Sequence, residues 1–244
     1  MKNFCVTSAR TGLVNRYGAV PKLWLLCVGL SALAAMAVCV LTFSGTGIAA
    51  AETKTAEASD EPEEGFYVYF DADYHGNHFV PSGLMGDCGD IEINEACEES
   101  PHSNKTCIRI VYTAKGKGPH TCDYPPPAKW AGVYWQYPAN NWGKEQVHED
   151  AGFDLSEHKK LVFWARAEKA CRIQFKVGGI SERYGDSLKS ARMKRAKLTT
   201  SWQKFEIDLE DADLSHIIGG FCWVTDWQES SDGATFYLDD IRYE

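Results

Sequence analysis

Between residues 171 and 177 the chain runs CRIQFKV, with Cys171, Ile173, Phe175 and Val177 alternating with Arg172, Gln174 and Lys176. Side chains of an extended strand point to opposite faces in turn, so a period of two describes a strand with one buried and one solvated face. WQKFEIDL repeats the pattern, setting Phe205, Ile207 and Leu209 against Lys204, Glu206 and Asp208. Further strands are expected at FYVYF (66–70), TCIRIVYT (106–113), WAGVYWQY (130–137), LVFWARA (161–167), IIGGFCWVT (217–225) and ATFYLDDIRY (234–243). No stretch after residue 64 carries the stripe of an amphipathic helix. Eight short strands predict an all-β domain over 65–244, a β-sandwich of the jelly-roll kind. Two connections, 71–105 and 178–200, are too long to be turns.

The region ahead of the strands has a different character. Residues 1–51 hold Lys2, Arg10, Arg16 and Lys22 and no carboxylate, and Leu23 to Phe43 is almost wholly apolar. A basic head, an apolar run and the small residues Ala49, Ala50 and Ala51 describe a secretory signal. The run is also long enough for an uncleaved anchor helix, since about 20 apolar residues span a bilayer. Either way the rest of the chain is expected to be exported: outward-facing if anchored, secreted or periplasmic if the signal is cleaved. The membrane is met only through this segment. An acidic linker at 52–64, expected to be disordered, joins it to the domain. Removing 1–51 moves the formal charge from −9 to −13, which excludes nucleic acid as the expected partner. The basic stretch KSARMKRAK at 189–197 is the exception, and is expected to be a solvated loop.

Six cysteines lie beyond the linker: Cys88, Cys97, Cys107, Cys122, Cys171 and Cys222. An even number beyond an export signal predicts disulfides, with about 15 possible pairings among which sequence does not choose. The arrangement expected here is Cys88–Cys97, Cys107–Cys122 and Cys171–Cys222.

Taken in order, YWQYPANNWG, FDLSEHKKLVFWARAE, IQFKVGG, TTSWQKFEIDLED and the terminal ATFYLDDIRYE resemble the galactose-binding-domain-like jelly roll, a superfamily with many bacterial carbohydrate-binding modules. The resemblance covers residues 65–244, and its most specific segments, LVFWARA, SWQKFEIDL and YLDDI, mark scaffold strands and not a ligand. It implies a non-catalytic domain that binds sugars on loops or on a concave sheet face, with a structural calcium near the first and last strands. The insert 71–105 and the CDYPPP loop (122–127) depart from the generic pattern.

The residues themselves also suggest calcium. If Phe236 and Leu238 point inward along the last strand, strict alternation turns Asp240 inward too, and a buried carboxylate needs a partner or a metal. Asp71 and Asp73 are the companions expected from the first strand, and hard oxygen ligands suit calcium. DADYHGNH imitates the start of an EF-hand loop, but Ser82 stands where the twelfth-position Glu is needed. The alternatives are an Asp240 bonded to backbone or Arg, and a zinc site that adds His75 and His78.

Candidate ligand residues gather where strands end. In WAGVYWQY both faces carry rings, and Pro138 ends the strand before Asn140, Asn141 and Trp142. Amides read hydroxyls and a flat ring covers the apolar face of a sugar. Tyr137, Asn140, Asn141 and Trp142, with Trp223, Asp226 and Trp227 from CWVTDW, form the expected site for a carbohydrate or cell-envelope glycan. The competing account tucks Trp142 under its loop and spends the Asn side chains on turns. An adhesion domain of the same fold is a second possibility. A jelly-roll glycosidase is a third, since EIDLE sets Glu206, Asp208 and Glu210 on one strand face, although the next residues, DADLS, do not continue such a motif.

Overall fold

The computed structural model describes residues 62–117, 127–147 and 150–244. The N-terminal signal or anchor, the linker to residue 61 and Cys122 lie outside the described residues. Among the described residues eleven strands occur in order: β1 (Phe66–Tyr69), β2 (Val80–Gly86), β3 (Ile91–Cys97), β4 (Cys107–Tyr112), β5 (Trp130–Gln136), β6 (Lys160–Ala167), β7 (Cys171–Val177), β8 (Arg192–Leu198), β9 (Gln203–Asp208), β10 (Gly219–Asp226) and β11 (Ala234–Tyr243). All eight expected strands are present. The three additional ones, β2, β3 and β8, occupy the two long connections.

The strands form two antiparallel sheets, the β-sandwich the sequence implied. One runs β3-β4-β11-β6-β9, with β1 also pairing to β11, and the other runs β2-β5-β10-β7-β8. The inward alternation of both sheets meets in a core of rings. Phe163 of β6 packs on Phe175 of β7 at 4.6 Å, Trp135 on Phe221 at 5.5 Å, and Trp223 on Phe236 at 5.2 Å between centroids. These rings are fully buried, and each removes roughly 150–250 Å² from water.

Strict alternation fails once in β11, and the failure matters. Residues 234–238 pair with β4, residues 241–243 with β1, and the register to β6 slips between Asp239 and Arg242. Asp240 takes φ 47° at this bulge. A bulge adds a residue and inverts the facing of the residues after it. Ile241 and Tyr243 therefore take over the inward positions and are fully buried. Asp240 is released to the other face of the sheet beside Asp239.

The disulfide arrangement is corrected on similar grounds. Cys97, Cys107, Cys171 and Cys222 are free thiols, while Cys88 is disulfide-bonded. Cys171 lies on the core-facing side of β7 with Ile173 and Phe175, whereas Cys222 lies on the outward side of β10 opposite Tyr134 and Lys176. Thiols on opposite faces of one sheet cannot meet. Cys97 is paired across strands with Cys107, which removes the Cys88–Cys97 and Cys107–Cys122 bridges.

Candidate functional site

The outward face of the five-stranded sheet is set directly by the strand register. One row crosses all five strands: Met85, Gly132, Val224, Gln174 and Arg195. The next row holds Gly83, Tyr134, Cys222, Lys176 and Met193. On the other side lie the pairs Trp130–Asp226 and Arg172–Lys197. A Cβ on Gly132 would fall 2.7 Å from the Trp223 carbonyl oxygen and 2.9 Å from Val224 Cγ2, so the middle of the face has to stay bare.

One end of this face is roofed by two loops. Trp142 stands edge-on to Tyr134 at 6.1 Å and 85°. Both belong to an apolar cluster with Ile180, Ile218, Cys222, Met85 and Val224. The Tyr134 hydroxyl donates to the Gly178 carbonyl at 3.0 Å, and burial pushes its pKa well up. The Trp142 loop is built as a turn on the end of β5. Gln136 Nε2 donates to the Asn141 carbonyl at 2.7 Å, and Asn141 Oδ1 accepts from the Gly143 amide at 3.0 Å. The second loop is fixed by Asp186, a fully buried carboxylate that accepts from the amides of Ile180 (2.7 Å), Ile218 (2.8 Å) and Gly219 (2.9 Å). Burial raises the Asp186 pKa to about 6, against the opposing pull of these three donors. The Tyr184 amide donates to the Gly143 carbonyl at 2.9 Å and ties the loops together.

Beyond Val224 the same face opens into a depression of about 500 Å³, lined by Arg172, Gln174, Arg195, Lys197, Val224 and Asp226 among others. Val224 thus belongs both to the Trp142 cluster and to the wall of the depression. Apolar surface, amides and charges lie along one continuous strip. It can cover sugar ring faces with Trp142 and Val224 and meet hydroxyls with Gln174.

The expected ligand residues divide. Trp142 and Asp226 lie on this face. Asn140 is exposed at φ 61°, its amide donating to Ser82 Oγ at 2.8 Å, while Asn141 is buried and spent on the turn. Trp223 is fully buried beneath the sheet and leaves the site. Tyr137 packs on Phe153 at 4.6 Å, and Trp227 packs against the core with Lys129 Nζ 5.7 Å from its ring centre. Met85, Gln174, Val224 and Arg195 join the site from the structure alone. Of these only Gln174 has a signal in the sequence, the polar side of the CRIQFKV alternation, which by itself reads as plain solvated surface.

The expected metal ligands are not brought together. Asp240 faces His102 Nδ1 at 2.8 Å and accepts from Ser103 Oγ at 2.8 and 2.9 Å. Asp71 accepts from Thr106 Oγ1 and, at 2.8 Å, from the Ala72 amide, and Asp73 is exposed. Among the described residues no group of three or more His, Cys, Asp or Glu is arranged to hold a metal ion. His78 stacks on Phe66 at 3.8 Å and His75 is exposed. Of the EIDLE carboxylates, Glu206 and Asp208 are both exposed on β9; Asp208 accepts from the Glu210 amide at 3.0 Å, and Glu210 pairs with Lys159 at 3.6 Å.

No family model and no curated protein matches the chain. Among solved structures it is similar to a family 30 carbohydrate-binding module, at 14% identity over 74% of this chain and 87% of that one, with a TM-score of 0.46. It is also similar to a family 11 carbohydrate-binding module from Clostridium thermocellum in complex with a beta-1,3-1,4-mixed-linked tetrasaccharide (14% identity, 63% and 80% covered, TM-score 0.37). An exo-beta-agarase resembles it at 11% identity over 72% of this chain and 24% of that chain, with a TM-score of 0.45. At these identities and TM-scores the likeness decides nothing about a ligand.

Proposed function

We propose that the domain over 65–244 is an exported, non-catalytic module that binds a carbohydrate chain along the outward face of its five-stranded sheet. The observation that carries this reading is the continuous strip from Trp142 over Val224 to Gln174 and Arg195, open on an otherwise well-packed sheet. Sugars present alternating apolar faces and hydroxyl rims, and a surface with rings and amides side by side serves both. Catalysis by paired carboxylates needs two acids about 5–9.5 Å apart across the scissile bond. Of the EIDLE acids, Asp208 caps the Glu210 amide, Glu210 pairs with Lys159 at the surface, and all three lie outside the strip.

The test is a glycan array probed with the full-length protein and with Trp142→Ala and Gln174→Ala. Binding to a saccharide that weakens in both variants supports the face. Gln174 is partly exposed, and among the described residues its side chain makes one hydrogen bond, to Met193 Sδ at 3.3 Å, so its truncation should leave the fold intact. Binding indifferent to both variants moves the site elsewhere, and release of shortened product overturns the non-catalytic reading.

A further inference from the structure

The charge of this face is at odds with the charge of the chain. Acidic residues outnumber Lys and Arg 34 to 25. Yet β7 and β8 together carry Arg172, Lys176, Arg192, Lys194, Arg195 and Lys197 and not one carboxylate. Four of these, Arg172, Lys176, Arg195 and Lys197, share the outward side, because β7 and β8 pair Arg172 with Lys197, Gln174 with Arg195 and Lys176 with Met193. Lysines on an exposed edge strand are a common guard against edge-to-edge pairing. That role accounts for β8, which is the sheet edge, but not for Arg172 and Lys176 on the strand inside it.

The nearby acids do not cancel the patch. Glu229 pairs with Arg172 at 3.4 Å, and Asp226 Oδ1 is held by the amides of Gln228 (2.9 Å) and Glu229 (3.0 Å). Arg195 and Lys197 have no ion-pair partner among the described residues, and both line the 500 Å³ depression beside Gln174. Like charges gathered without partners repel one another, so the arrangement is relieved by an anion. Guanidinium groups bind carboxylate and sulfate oxygens through a planar fork, and the neighbouring amides suit hydroxyls.

We infer that the β7–β8 end of the face is a subsite for the anionic group of an acidic polysaccharide, a carboxylated or sulfated glycan. The inference rests on the proposed carbohydrate binding and names its substrate class. Nucleic acid is the less favoured polyanion. It needs cations spread along a run of phosphates, whereas Arg172, Lys176, Arg195 and Lys197 are gathered at one end of the face.

The experiment is affinity electrophoresis of the full-length protein through gels containing polygalacturonate, methyl-esterified polygalacturonate, dextran sulfate, dextran or duplex DNA. Arg195→Ser, Lys197→Ser and the double variant run alongside. Retention by polygalacturonate or dextran sulfate, absent with the esterified and unsulfated forms, is expected; which acid retains more strongly identifies the anion. The double variant should bind roughly tenfold more weakly with an unchanged melting temperature, since both side chains are exposed. Equal retention by charged and neutral polymers overturns the anionic subsite and leaves carbohydrate binding standing. Binding of neutral saccharides on the array, without retention by either acidic polymer, overturns it in the same way. Retention by DNA as strong as by the acidic glycans, or an unaltered double variant, also overturns it. No binding in either gels or array removes the carbohydrate reading as well.

Discussion

The Nδ1 of His102 lies 2.8 Å from Oδ2 of Asp240, and the imidazole stacks on Trp164 with 3.7 Å between ring centres. This contact fastens the segment between β3 and β4 across the outer face of the six-stranded sheet. The amides of His102 and Ser103 donate to Asp239 Oδ2 at 2.8 and 3.2 Å, and Trp202 Nε1 donates to the Ser100 carbonyl at 3.0 Å. The carboxylate that strict alternation assigned to a metal is thus used as a clasp.

Asp240→Ala should loosen the clasp. It leaves His102 and Ser103 without their acceptor, a loss of about 1–3 kcal/mol for a largely buried set of bonds. Hydrogen exchange should speed up in residues 98–106 and remain slow in the core strands. Because Asp240 is committed to protein partners, added calcium should leave the melting temperature of the wild type unchanged. A calcium-dependent rise that Asp240→Asn abolishes would restore the metal site.

Stability should fall as pH rises across the neutral range. Asp239 is fully buried, and burial, together with the neighbouring Asp240, raises its pKa from 3.8 to about 8. The folded state therefore keeps this proton to higher pH than the unfolded chain. Its stabilising share is complete below the unfolded value and is lost as pH climbs through the folded one. Asp186 acts in the same sense over a narrower window, from 3.8 to about 6. Urea midpoints should decline between about pH 4 and 8, and Asp240→Asn, by removing the like charge, should end the decline at lower pH. A midpoint that climbs across this window contradicts the assignment.

The strands legible in the sequence are those whose inward positions carry bulky apolar side chains. β7 and β9 announce themselves because Phe175 and Phe205 alternate with charges. β8 is hidden: its run RMKRAKL offers the core only Ala196 and Leu198, and the rest is exposed edge. β2 contains Pro81, Gly83 and Gly86, residues that argue for a turn until a neighbouring strand is known. For the proposed site, sequence singles out Trp142 and Asp226 but not the sheet floor between them. Whether an alternating polar residue faces bulk water or a groove depends on which strands flank it, and that is a property of topology. The bulge at Asp240 is equally nonlocal, since it lies where β11 passes from β4 to β1.

Two tryptophans should separate stability from binding. Trp223→Ala opens a cavity beside Phe236 and should cost about 3–5 kcal/mol. Trp142 is half-buried at the edge of its cluster, so Trp142→Ala should cost distinctly less and act mainly on ligand affinity. Urea denaturation and glycan binding measured on both variants check this. Equal destabilisation by the two substitutions would return Trp142 to a purely packing role.

Cys97 and Cys107 should be the pair that oxidation joins. They stand directly opposite in the β3–β4 register, both buried, with Cys107 Sγ 3.5 Å from the Cys97 carbonyl oxygen. Directly opposed strand residues hold their Cβ atoms about 4.5–5.5 Å apart, close enough for a small adjustment to reach disulfide spacing. Burial, and then the neighbouring thiol, raise the Cys107 pKa well above the ordinary range, so the reduced pair should react slowly with alkylating agents. Cys222 is fully buried and pushed to about 12; Cys171, only partly covered, is pushed to about 11 and should be the first of the four free thiols to alkylate. Peptide mapping after export into an oxidising compartment should find Cys97 linked to Cys107, with Cys171 and Cys222 still thiols. Closing so short a loop should add about 2–4 kcal/mol, read as a higher urea midpoint that reductant reverses. A Cys171–Cys222 link in folded protein would contradict the strand facing itself, because those two side chains lie on opposite sides of the same sheet.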